Sequence, residues 1–109
     1  MELTLKKCAL CEGGTLPFTA DEARKLQQQV EGWELVTANG RYALEKEFKF
    51  KDFAEAMKFV NKVAGLAENE GHHPDITINW NKVVLQLSTH AIKGLSENDF
   101  IMAAKIDKL

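Results

Sequence analysis

Apolar residues at every second position predict four strands in this chain of 109 residues. The first two strands flank Asn39-Gly40, a dipeptide that favours the tight turn of an antiparallel hairpin. The next two flank Asn81-Lys82 and form a second predicted hairpin. The alternating apolar residues are Trp33, Leu35, Tyr42, Leu44, Phe48, Phe50, Ile76, Ile78, Trp80, Val83, Leu85 and Leu87. Each hairpin therefore has one apolar face.

Three helices are predicted by apolar residues that recur at intervals of three and four. The capping patterns that begin them are Thr19 with Glu22, Asp52 with Glu55, and Ser96 with Asp99. We expect the first helix from about Ala20 to Val30, and the second and longest helix to end near Gly71. The apolar stripe of this second helix consists of Phe53, Met57, Val60, Val63, Ala64 and Ala67.

The resulting order of elements is α-β-β-α-β-β-α. Because each hairpin has a single apolar face, the pattern predicts an α+β fold, a four-stranded antiparallel sheet with helices packed on one face. We expect a single domain over residues 1–109, with residues 1–18 as an N-terminal loop segment.

The charge balance and the lengths of the apolar runs argue against some classes of partner. The formal net charge is -2, and acidic and basic residues are interleaved, which argues against a nucleic-acid partner. No apolar run reaches the length of a signal peptide or a membrane span, so we expect a cytoplasmic protein without a membrane partner. Cys8 and Cys11 form a lone Cys-x-x-Cys, which favours two reduced thiols over a zinc knuckle or a redox pair.

The three histidines, His72, His73 and His90, fall within nineteen residues. Imidazole gains and loses a proton near neutral pH, so one ring can act as a general acid and another as a general base. A two-residue loop at Asn81-Lys82 pairs Trp80 with Val83 and predicts that His73 lies directly opposite His90. His72 then approaches from the loop, and Trp80 is expected to pack in the core.

Two other interpretations of the cluster remain open. The histidines can be structural, or they can bind a metal, with Glu68 as a possible third ligand. Adjacent histidines are poorly suited to binding one ion, so we expect no metal. Asp99 is interpreted as a cap of the last helix and not as a catalytic residue, because a carboxylate there meets free amides.

The histidines belong to a longer spaced pattern: Glu68, His72-His73-Pro74, Trp80, His90 and Asp99. This pattern resembles the signature of the pterin-4a-carbinolamine dehydratases. Two further segments are similar to that family, Ser88-Thr89-His90 and Gly94-Leu95-Ser96. The resemblance extends from about Thr19 to the C-terminus, and the predicted order of elements is the family's fold.

The resemblance implies dehydration of 4a-hydroxytetrahydrobiopterin to quinonoid dihydropterin, which recycles the cofactor of aromatic amino-acid hydroxylases. It implies acid-base catalysis by His72, His73 and His90 with no cofactor, and leaves open which imidazole is the acid. The implied substrate-binding residues are Glu68, Gly71, His72, His73, Ser88, Thr89 and His90. Glu68 is expected to tune one imidazole, and Gly71 has no side chain to offer the substrate.

The resemblance also leaves alternatives. One is binding or dehydration of another pterin, such as a molybdopterin-related compound. Another is a non-catalytic assembly or dimerisation partner, since relatives on this fold act in that way. The family suggests a homodimer or homotetramer, and phenylalanine hydroxylase is a possible metabolic partner.

Overall fold

The computed structural model describes residues 3–6 and 16–109. Its helices and strands follow the predicted order: α1 (Ala20–Gln27), β1 (Glu34–Ala38), β2 (Arg41–Lys49), α2 (Phe53–Glu70), β3 (Asp75–Asn79), β4 (Lys82–Leu87) and α3 (Glu97–Ile106). The predicted α+β class is confirmed. No helix within the described ranges is both long and apolar enough to cross a membrane.

The four strands form one antiparallel sheet in the order β1-β2-β4-β3. The helices cover one of its faces and bury the side chains that alternate toward them. The large, fully buried side chains include Trp33, Leu44, Val83, Leu85, Leu87, Leu95 and Phe100. The second face carries mainly polar side chains and is not covered by a helix, as the alternation predicted.

The helix starts agree with the capping patterns. The hydroxyl of Thr19 accepts from the Glu22 amide, and the Asp52 carboxylate accepts from the Glu55 amide. Helix α1 ends at Gln27, three residues before the predicted end, although Val30 is still buried. The backbone therefore turns earlier than the apolar pattern indicates.

The N-terminal segment is only partly a loop. Residues Leu3–Leu5 form one turn of 3-10 helix, and Leu3 belongs to the buried core. The interpretation of Cys8 and Cys11 concerns residues outside the described ranges.

The apolar stripe of α2 is narrower than predicted. The buried side chains are Ala56, Val60, Val63 and Ala67, whereas Phe53 is about half exposed (48%) and Ala64 is exposed. The buried positions recur at three and four residues and so follow one side of the helix. Phe53 belongs to the first turn and Ala64 lies on the flank of the stripe, which explains their exposure.

The turn of the second hairpin differs from the prediction. It consists of Trp80 and Asn81, with Trp80 in the left-handed region at φ 52°. Asn81 is bound to the end of β2: the Phe50 amide donates to its carbonyl (2.8 Å), and its side-chain amide donates to the Phe50 carbonyl (3.0 Å). This double contact favours a turn one residue earlier than Asn81-Lys82.

The register therefore differs by two residues, with Ile78 opposite Val83 instead of Leu85. A shift of two keeps every side chain on its predicted face, which is why the core pattern did not reveal it. Two expectations are wrong as a result. Trp80 is 62% exposed and does not pack in the core, and His73 has no partner in the ladder, which ends at Asp75 opposite Gln86.

Candidate active site

The end of α2 determines where the first two histidines lie. Gly71 adopts φ 69°, a conformation that favours glycine, and its amide donates to the Ala67 carbonyl (2.9 Å). The His72 amide donates to the same carbonyl (3.2 Å). These contacts end the helix. A short segment that contains Pro74 then leads into β3.

The segment after β4 carries the third histidine. Because β3 and β4 are antiparallel, the start of β3 and the end of β4 lie at the same end of the sheet. Residues 72–74 precede β3 and residues 88–90 follow β4, so the two segments lie at this same end of the sheet. The second segment bends back after Thr89, whose amide donates to the Gly94 carbonyl (2.7 Å), and His90 begins a 3-10 turn.

His72 is bound to a buried carboxylate. Its Nε2 lies 2.6 Å from Oδ1 of Asp99; the His72 side chain is 11% exposed and the Asp99 side chain is fully buried. An ionised carboxylate only accepts hydrogen bonds, so Nε2 donates and the other ring nitrogen, Nδ1, is left as the acceptor. The contact thus fixes both the orientation of the ring and the nitrogen that carries the proton.

The Asp99 carboxylate is itself held by two further donors. Its Oδ2 accepts hydrogen bonds from the Thr89 hydroxyl (2.8 Å) and from the Ser96 amide (2.9 Å). The Thr89 and Ser96 hydroxyls are hydrogen-bonded to each other (2.8 Å). The expected capping box of α3 is present. The expectation that Asp99 is only a cap is incomplete, because the same carboxylate orients His72.

His73 has a different environment. Its Nε2 lies 2.5 Å from Oε2 of Glu68 in the last turn of α2, with the His73 side chain 60% exposed and Glu68 78% exposed. The expectation that Glu68 contacts one imidazole agrees with this geometry. The pair faces solvent, so its energetic value is small, and its effect on the site is to orient the His73 ring.

His90 and Ser88 are arranged differently again. His90 is exposed, and both residues line a hollow on the uncovered face of the sheet. The Thr89 hydroxyl between them is committed to Asp99 and Ser96, and Thr89 is 5% exposed. The side chains of Ser88 and His90 are therefore the groups of this segment that line the hollow, whereas the Thr89 hydroxyl is already hydrogen-bonded.

The structure brings the expected residues to one end of the sheet without stacking the imidazoles opposite one another. Sequence reasoning missed the second role of Asp99, although the spaced pattern already contained this residue. Within residues 3–6 and 16–109, no group of three His, Cys, Asp or Glu side chains is arranged to hold a metal ion.

A largely buried imidazole with a buried carboxylate partner lies at the same end of the sheet as two exposed imidazoles, a combination of groups typical of acid-base sites. Comparison with known proteins identifies the family. The family model described as pterin 4 alpha carbinolamine dehydratase matches residues 16–109, and the chain belongs to this family of hydro-lyases.

Relatives of known sequence agree with this membership over nearly the whole chain. A protein of Methylococcus capsulatus, provisionally named pterin-4-alpha-carbinolamine dehydratase, is 51% identical over 98% of this chain and 92% of its own length. A protein of Rubrobacter xylanophilus with the same provisional name is 44% identical over 99% of this chain and 98% of its own.

Two solved structures are similar to the model. A transcriptional coactivator/pterin dehydratase from Brucella melitensis is 36% identical, with a TM-score of 0.77 over 84% of this chain and 96% of that chain. A pterin dehydratase-like protein identified as a RuBisCO assembly factor in the alpha-carboxysome is 25% identical, with a TM-score of 0.60 over 72% and 88%.

Proposed function

We propose that this protein dehydrates 4a-hydroxytetrahydrobiopterin to quinonoid dihydropterin, with His72, His73 and His90 as the catalytic imidazoles. The observation that carries the proposal is the contact of His72 with the buried Asp99 carboxylate, at the end of the sheet where His73 and His90 also lie. Family membership supplies the substrate class.

The reaction needs two proton transfers. The 4a-hydroxyl accepts a proton and leaves C4a as water, while N5 loses its proton to a base and its electrons form the C4a–N5 double bond. Hydroxide is a poor leaving group without that proton, and a positioned acid or base contributes about 10²–10⁴-fold each. Imidazoles supply both groups at neutral pH.

The three histidines differ in burial and in hydrogen-bond partners, and we assign their roles accordingly. His72 presents Nδ1 as a fixed proton acceptor because Asp99 holds Nε2. His73 and His90 are more exposed and contact the substrate from the solvent side, with Glu68 orienting His73. Ser88 binds the substrate with its hydroxyl, and Gly71 and Thr89 contribute backbone groups. The pH dependence of kcat/KM in variants of the three histidines identifies the imidazole that protonates the hydroxyl.

The physiological setting follows from the chemistry. Aromatic amino-acid hydroxylases form the 4a-carbinolamine from their pterin cofactor, so an enzyme that removes its water recycles that cofactor. Phenylalanine hydroxylase is the proposed metabolic partner. The competing substrate is another pterin, such as a molybdopterin-related compound.

A stopped-flow assay tests the function directly. Carbinolamine generated during the measurement is mixed with the protein across a range of pH, and its decay is compared with the decay in buffer alone. We expect acceleration that depends on pH. Decay no faster than in buffer, together with tight binding of a molybdopterin-type ligand, would refute this substrate and favour the other.

Histidine variants test the residue assignment. His72→Ala, His73→Ala and His90→Ala are each expected to lower kcat/KM by about 10²–10⁴-fold if the imidazole transfers a proton, with folding checked by thermal unfolding. Unchanged activity in both His73→Ala and His90→Ala would mean that the proposed catalytic group is wrong.

A second candidate function is assembly or dimerisation, favoured by the similarity to the carboxysome protein. Strands β1 and β3 form the two edges of the sheet, and unpaired edges invite pairing with another chain. We propose a homodimer or homotetramer, which light scattering tests. A monomer with full dehydratase activity would argue against both the oligomer and the assembly role.

A further inference from the structure

The uncovered face of the sheet contains a hollow of about 60 Å³ at the same end as the histidines. Its lining includes Arg41, Ala43, Asp75, Gln86, Ser88 and His90. Ser88 and His90 were expected at the site, whereas the side chains from β2 and β3 have no role so far. The hollow spans three neighbouring strands, with β4 in the middle.

Ala43 creates the space. It belongs to β2, one residue beyond the last paired position of β2 and β4, Leu44 opposite Leu87. Its neighbours on the same face, Arg41 and Glu45, carry long side chains. Ala43 has only a methyl side chain, lies between them and lines the hollow, and the residue itself is 2% exposed.

Most of the polar side chains that line this hollow have no partner among the described residues. Within residues 3–6 and 16–109, no hydrogen bond or ion pair is found for the side chains of Arg41, Asp75, Ser88 and His90. Gln86 is the exception, with its amide donating to Glu45 at 3.3 Å. A guanidinium and a carboxylate that flank one hollow without pairing with each other are available to a ligand that offers both donors and acceptors.

We propose that the hollow receives the pyrimidinone edge of the pterin, an inference that rests on the pterin activity proposed above. Asp75 accepts from the 2-amino group and the N3–H, and Arg41 donates to the O4 carbonyl. These two residues then select pterins by the ring edge that all pterins share and leave the C6 substituent outside.

The size of the hollow agrees with a ring edge. Its volume is that of about two water molecules, since water occupies roughly 30 Å³ in the liquid. The edge of one ring enters such a space, and the fused second ring stays outside. The carbon that carries O4 is bonded to C4a, so a contact between Arg41 and O4 brings the 4a-hydroxyl toward His90, which lines the same hollow.

Asp75→Asn and Arg41→Gln are informative variants because each removes the charge and keeps a polar side chain. Hydrogen bonds to charged groups are among the stronger ones in proteins, so we expect each variant to raise KM by about tenfold or more. The increase is expected to be the same for substrates with a methyl group and with a dihydroxypropyl chain at C6. Ala43→Leu fills the hollow and is expected to raise KM for both substrates.

Matched controls come from the same face of the sheet. Glu47→Gln and Lys49→Gln remove exposed charges on β2 that do not line the hollow, and we expect an unchanged KM. Binding of 7,8-dihydropterin is measured alongside turnover, and thermal unfolding confirms that each variant is folded.

The outcomes are distinct. An effect confined to substrates with the long C6 chain would overturn the ring-edge assignment in favour of a side-chain pocket. Unchanged KM and dihydropterin binding in Asp75→Asn, Arg41→Gln and Ala43→Leu would remove the hollow from the site. Both results require an active wild-type protein, whereas an inactive wild type refutes the dehydratase function itself.

Discussion

Asp99 links two segments that are 27 residues apart in the chain, the start of α3 and the turn that follows α2. Its two oxygens have separate tasks: Oδ1 binds His72, while Oδ2 accepts from Thr89 and from the Ser96 amide. A carboxylate suits all three contacts because it only accepts hydrogen bonds. The same side chain therefore stabilises a helix start and orients the imidazole of His72, which we propose to be catalytic.

Asp99→Asn is expected to disrupt this arrangement, since an amide has one acceptor oxygen and must turn its NH₂ toward one of the donors. We expect kcat/KM to fall about 10–100-fold, as for other groups that orient a functional imidazole. The free energy of unfolding is expected to fall by about 1–3 kcal/mol because a buried contact is lost. Steady-state kinetics and denaturant unfolding measure the two effects.

Glu97→Gln is the matched control in the same first turn of α3. Its side chain is 48% exposed and pairs with Lys6 at the surface, so we expect activity close to wild type. If Asp99→Asn kept full activity while losing stability, Asp99 would be a cap alone.

At the scale of elements, the end of α2 determines where His72 and His73 lie. Gly71 in the left-handed conformation ends the helix and leads into His72. Gly65 lies within the same helix, has no unusual φ, and has open space where a Cβ would lie. Alanine is therefore expected to be unfavourable at Gly71 and favourable at Gly65.

Gly71→Ala is expected to destabilise the protein by about 1 kcal/mol and to lower activity, because alanine disfavours a positive φ. Gly65→Ala is expected to stabilise it by about 0.5–1 kcal/mol, since alanine favours a helix interior. Thermal unfolding compares them. Equal effects in the two variants would contradict the role of Gly71 as the helix cap.

At the scale of the whole molecule, α2 and α3 are joined near the site by a second contact. Lys105 donates to Glu70 at 2.8 Å, and their side chains are 15% and 4% exposed. Glu70 immediately precedes Gly71, and Lys105 lies in the last turn of α3, the helix whose first turn contains Asp99. Its removal is expected to affect the site through the packing of the two helices.

Lys105→Met removes one charged hydrogen bond to the largely buried Glu70 carboxylate, and we expect a loss of about 1.5–3 kcal/mol in unfolding free energy. The control is Lys58→Met, which breaks the exposed pair of Lys58 with Glu55 and is expected to change stability by less than about 1 kcal/mol. Chemical denaturation distinguishes them, and equal losses would show that burial of the Lys105 pair is unimportant.

The sequence by itself determined the α+β class, the order of elements, the helix caps and the face on which each strand residue lies. These features depend on local periodicity and on capping residues within three positions, which a sequence displays directly. The histidines and Glu68 were proposed as site residues from their clustering and from the family pattern, and their roles stay a prediction.

Only the tertiary structure decided the register of the second hairpin and the second role of Asp99. The register depends on the contact between Asn81 and Phe50, 31 residues apart, and a shift of two leaves the apolar pattern unchanged. Trp80 therefore lies in the turn, and His73 lies beside Glu68 instead of His90. The hollow at Ala43 likewise exists only because β2, β4 and β3 are neighbours in the sheet.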